Sequence, residues 1–213
     1  MIVKNPVPIT EEEAANMARK AKSGIRRIFL HWTAGHYGQV YDDYHLCVDQ
    51  YGHVYVNCKT LKAFKVHTWM RNHDSIAIAM CCGAGARCWT PEKGNPRDAQ
   101  GAYLGSENAG SDCALVDLGE EPPTFMQIEV TAKLIAVLCD ALALPITKDT
   151  VTTHCEAAFR DHYGPGDGDP DMRWDLWFLP DLGKHGGLSR GGDLLRGKAL
   201  YYQHMMEAEK LAV

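Results

Sequence analysis

The chain has 213 residues, enough for one domain with a real core and short for two. Apolar residues make up 46% and charged residues 23%, a globular balance that excludes disordered and fibrous classes. The formal net charge of -5, with no basic stripe, argues against nucleic-acid binding, and the longest apolar run (around Ile135 to Leu144, broken by Asp140) is too short to span a bilayer.

The opening Met-Ile-Val-Lys-Asn-Pro leads into acidic residues without a signal-peptide core, so the chain is expected in the cytoplasm of the producing cell until it is released. Thr10 and Glu13 have the spacing of a capping box and predict a helix to about Lys22, stopped by Gly24. Arg26 to Thr33 and Ser75 to Cys82 read as buried strands. Tyr44 to Asp49 and His53 to Asn57 flank Gln50-Tyr51-Gly52 as a β-hairpin, and Phe64 to Val66 reads as a further short strand. Gly83 to Pro123 is a long excursion rich in Gly, Pro, Asn and Asp. Thr124 with Gln127 caps a second helix to about Leu142; Val151 to Thr153 is a strand ending at His154. After another Gly/Asp/Pro-rich loop, an amphipathic helical tail runs from about 193 to 210. This order predicts an α/β (α+β) single domain, 1–213, with a mixed central β-sheet flanked by helices and a long loop insertion.

Eight cysteines show no zinc-ribbon pairs, and most are expected to be reduced core residues. Cys88 and Cys113 bracket the Gly-rich excursion and are placed to form a disulfide if the protein works outside the cell. His31 and His154 both fall at strand ends, where an α/β sheet brings distant residues together. Two neutral imidazoles and one anionic ligand would make a three-ligand zinc site with an open fourth position, although a lone strand-end histidine is more often structural.

The strings HWTAG, YHLCVDQYGHVY, HTWMRNHDSIAIAM, VTTHCEAA and RWD stand in that order. In this the chain resembles the zinc-dependent N-acetylmuramoyl-L-alanine amidases: amidase-type phage lysozymes, wall-recycling amidases and animal peptidoglycan-recognition proteins. The resemblance covers about residues 25–180 and implies a Zn2+ cofactor held by His31, His154 and Asp175, with Asp169, Asp171 and Cys155 as rivals for the third place. Arg173 matches the basic residue two before the third ligand, where the family usually carries Lys, and is implied to stabilise the oxyanion. Tyr44, in the YH pair of phage-type members, is implied to be catalytic. His67 matches a groove position; Trp32, Trp69 and Asn72 lie beside the motifs and join it as substrate-binding candidates, Trp also being a good core filler and Asn72 suited to orienting its loop. Glu156 reads either as a carboxylate behind a ligand imidazole or as a solvated side chain.

The implied activity is cleavage of the amide bond between N-acetylmuramic acid and L-Ala by zinc-activated water, in a monomeric phage endolysin acting on peptidoglycan or muropeptides in the periplasm or wall. Alternatives are a non-catalytic recognition module of the same fold, a recycling amidase, an injected toxin, and an unrelated cysteine hydrolase built on Cys155 or Cys47.

Overall fold

The computed structural model describes residues 1–88, 116–165, 173–184 and 187–211. In chain order it runs β1 (Val7–Ile9), α1 (Glu11–Ala21), β2 (Arg27–Trp32), β3 (Leu46–Val48), β4 (Val54–Val56), β5 (Ser75–Met80) and β6 (Arg87–Cys88). It continues with β7 (Val116–Asp117), α2 (Phe125–Leu142), β8 (Val151–Thr153), α3 (His154–Arg160), β9 (Phe178–Asp181), β10 (Gly187–Arg190) and α4 (Gly191–Leu211). Six strands form one mixed sheet in the order β1-β4-β3-β5-β2-β8. β2 pairs in parallel with both β5 and β8, β3 in parallel with β5, and β4 pairs antiparallel with both β1 and β3. The predicted fold class holds.

The period-two geometry of β2 divides its side chains between two surroundings. Ile28, Leu30 and Trp32 join Ile76, Ile78 and Met80 of β5 in the main core, beneath Ile128, Leu134, Ile135 and Leu138 of α2. Phe29 and His31 take the other face, where both rings meet His67. Across from them in register stand Ala77 and Ala79, small residues that leave room for a cluster of imidazoles.

One expected strand is absent. Phe64 to Val66 is not a strand: the free edge of β4 is already taken by β1, and Phe64 and Val66 are left exposed. Pro8, which has no N–H to donate, sits in that edge strand, where its cost is least. The helix expected over about 193–210 is α4, and it places Leu195 and Ala199 in the main core. β6 and β7 pair at the base of the long excursion. The proposed Cys88–Cys113 disulfide falls outside the described residues, because Cys113 does. Cys47, Cys81, Cys82, Cys139 and Cys155 are buried free thiols, as expected.

Candidate active site

His31 is the last residue but one of β2, on the face opposite α2. His154 is the first residue of α3, and its direction is set by the strand-to-helix junction. Thr153 caps that helix through its hydroxyl, which accepts from Glu156 N at 3.1 Å, while the Glu156 carboxylate accepts from Thr153 N at 2.9 Å. Asp175 lies in a turn closed by Trp177 N donating to Trp174 O, with Leu176 in the left-handed region at φ 61°.

The three side chains converge. Asp175 Oδ2 lies 3.2 Å from His31 Nδ1, and its Oδ1 lies 3.2 Å from His154 Nδ1. One ligand atom from each of the three lies within 4.8 Å of the other two. A tetrahedral zinc ion with bonds of about 2.0–2.1 Å spaces its ligand atoms roughly 3.3 Å apart, so the donor set and the two His–Asp distances suit that ion. Burial drives the His31 pKa down to about 4, against the pull of Asp175, so its imidazole is neutral, as a ligand must be. Burial would raise Asp175, but His154 and His31 beside it hold it well below the usual carboxylate range.

A sequence profile described as N-acetylmuramoyl-L-alanine amidase matches residues 20–167, more than half of the chain. The chain belongs to that family. It is an amide hydrolase directed at peptidoglycan. No curated protein and no solved structure matches it. The matched stretch contains His31 and His154 and stops short of Asp175, so the geometry alone joins this carboxylate to the two histidines.

Beside the three residues the amidase has a groove of about 530 Å³, walled by Val66, Thr68 and Trp69 on one side and by His154, Tyr163 and Arg173 on the other. Trp69 is 66% exposed and meets Tyr163 edge-on at 6.4 Å. Arg173 is exposed at the groove, its backbone N donating to Tyr163 O at 3.2 Å. Arg71 ties the two walls together through a bidentate pair with Asp161. Tyr44 packs its ring 5.1 Å from His31 and donates its hydroxyl to Trp32 O at 3.3 Å; burial and Asp175 push its pKa far up.

The other candidates separate. Trp32 is in the core, 5% exposed, packed edge-on against Trp174 and under Gly83, so it has no face for a sugar. His67 is buried at the groove wall with both ring nitrogens engaged, Nδ1 to Thr68 Oγ1 at 3.0 Å and Nε2 to Ser75 Oγ at 3.2 Å. Asn72 accepts from the backbone N of His67 and Thr68 at 3.1 and 2.9 Å, shaping the loop from within. Of the rival ligands, Cys155 is buried among Trp177 and Phe178, away from the cluster, and Asp169 and Asp171 lie outside the described residues. Glu156 is neither solvated nor behind an imidazole: besides capping α3 it pairs with Arg196 of α4 at 2.7 and 2.8 Å.

Two site residues escaped the sequence reading. Thr68 Oγ1 lies 3.3 Å from His31 Nε2, behind the first ligand. Tyr163 has a buried hydroxyl with no hydrogen-bond partner among the described residues, its ring 6.3 Å from that of His154; burial and Asp161 push its pKa up to about 12. Thr68 adjoins the HTW histidine, so its place was implicit in that string. Tyr163, at the start of an irregular loop, carries no periodic signal.

Proposed function

We propose that this amidase hydrolyses the bond between N-acetylmuramic acid and the L-Ala of the stem peptide, with zinc held by His31, His154 and Asp175. The convergence of two Nδ1 atoms on the two oxygens of one buried carboxylate carries the reading. When bound, the metal supplies a Lewis acid that activates water and polarises the scissile carbonyl. The chain's own groups do the rest. Arg173, a guanidinium at the groove, faces the negative charge that develops on the carbonyl oxygen. Tyr163 keeps its proton at neutral pH, and its partnerless hydroxyl suits a carbonyl or sugar oxygen of the substrate. Trp69 offers an exposed ring to the apolar face of a sugar. Tyr44 also keeps its proton, which goes to Trp32 O, and packs its ring beside His31.

We assign the activity to a monomeric phage lysin that meets its substrate in the wall. That role rests on the resemblance of Tyr44-His45 to phage-type members, while the aspartate ligand is shared with recycling amidases. Sacculi and soluble muropeptides incubated with the protein, with and without a chelator and beside a His154→Ala variant, test both points by mass spectrometry. Stem peptides beginning at L-Ala, lost with the chelator and in the variant, support the chemistry. Release from sacculi supports the lysin, and cleavage of soluble fragments alone supports recycling. No cleavage of either by zinc-loaded protein would leave a recognition module.

A further inference from the structure

Residues 14–41 and 57–73 carry nine Lys and Arg and no Asp or Glu, in a chain with 22 basic and 27 acidic residues. Separate in sequence, the two stretches meet in the fold at the C-terminal end of α1. Lys62 Nζ donates to Ser23 Oγ at 2.9 Å, and the Lys62 stem runs along Gly24, where a Cβ would lie 3.3 Å from its Cε. Arg26 N donates to Asp74 O at 2.7 Å, beside His73, whose ring lies 5.0 Å from that of Phe64. Arg27 and Arg71 are neutralised by Asp74 and Asp161. Lys22, Arg26 and Lys62 are exposed, and among the described residues no carboxylate pairs with them. An acidic chain thus gathers uncompensated cations in one place.

Apolar side chains lie in the same loop. Phe64 is 57% exposed, Val66 70% and Met70 79%. Val66 borders the groove, but Phe64 and Met70 do not line it, so a groove-bound substrate does not account for their exposure. Met70 is also held in the left-handed region at φ 58°, a conformation that costs energy for a long side chain. Exposed aromatic and thioether groups beside unpaired cations suit a lipid surface. Anionic headgroups draw Lys and Arg, and the acyl boundary takes up the apolar side chains. An anionic wall polymer would use the cations and leave Phe64 and Met70 in water.

We propose that the end of α1 and the loop before β5 dock the protein on an anionic phospholipid membrane. Phe64 and Met70 enter the headgroup layer, and Lys22, Arg26 and Lys62 meet the phosphates. Val66 to Trp69 of the same loop wall the groove, so docking holds the groove close to the bilayer surface. The proposal is independent of the metal site.

Sedimentation of the full chain with vesicles tests it, using phosphatidylcholine alone or mixed with an equal part of phosphatidylglycerol. Binding is expected with phosphatidylglycerol, not without it, and should weaken at molar salt, which screens exposed charges. Lys22→Gln with Lys62→Gln should weaken it about 30-fold, roughly the loss expected for two surface cations. Phe64→Ser with Met70→Asn should weaken it at least about tenfold, asparagine being tolerant of the left-handed region. Both double variants change exposed residues outside the groove, so a wild-type melting temperature is expected and shows that they are folded. Phe64→Trp should gain fluorescence quenched by brominated phosphatidylglycerol. A wild type that ignores phosphatidylglycerol vesicles, folded double variants that bind them as the wild type does, or an unquenched Phe64→Trp overturns the proposal. Double variants that lose binding to sacculi but not to vesicles also overturn it, and make the patch a wall contact.

Discussion

Arg173 and Tyr163 meet the groove from the same stretch of chain, yet differ in what they can contribute. A guanidinium acts on charge that appears only as the carbonyl is attacked, so Arg173→Ala should lower kcat about 100-fold while leaving bound zinc unchanged. Tyr163 has a buried hydroxyl that lacks a partner among the described residues. If substrate supplies that partner, Tyr163→Phe should lower kcat/KM roughly tenfold, chiefly through KM. Steady-state kinetics on a soluble muropeptide, with metal content measured alongside, separates the two. Equal effects on kcat in both variants would contradict this division of roles.

At the scale of elements, the cluster of His31, His154 and Asp175 depends on parts of the chain outside it. A Cβ on Gly191 would lie 2.1 Å from Leu176 O, and one on Gly192 would lie 2.4 Å from the Glu156 carboxylate. The start of α4 is thus pressed against the turn that carries Asp175 and against the cap that aims His154. Gly191→Ala should push the Asp175 turn outward, lowering thermal stability and weakening zinc binding at least tenfold. Calorimetry and chelator competition check this, and a variant with wild-type zinc affinity would show the turn to be independent of α4. The same parts mark where sequence reading stopped. The central strands were legible because burial on both faces leaves continuous apolar runs, and α1 and α2 because each opens on a capping box. Thr153 and Glu156 have the same spacing and open α3, but the short helix follows its strand without a break, and the strand signal masked it. The β9–β10 hairpin was missed because its pairing partners flank a stretch without alternation. His31, His154 and Asp175 were legible only through ordered motifs. Their convergence depends on long-range register, which spacing does not encode. Trp32 was misplaced because a motif neighbour and a core residue look alike until the face of the strand is known.

Across the whole molecule, three buried histidines make the fold sensitive to acid. Burial lowers His31 and His45 to about 4 and His67 to about 2, from an ordinary 6.5. Their folded values lie below the unfolded one, so the unfolded chain binds more protons on acidification. The stability they allow is complete above about pH 6.5 and is lost as the pH falls toward 4. At pH 5 each contributes a loss of at most about 2 kcal/mol. Denaturant midpoints of the chelator-treated protein should therefore drop steeply between pH 7.5 and 5, and a flat profile would mean these rings are hydrated in solution. Among the described residues no helix is long and apolar enough to cross a membrane. The central claim is the zinc centre, and metal content after exhaustive dialysis tests it most directly. The wild type should retain one zinc per chain, and His31→Ala, His154→Ala and Asp175→Ala should each retain almost none. A metal-free wild type, or full retention in folded Asp175→Ala, would contradict the assignment.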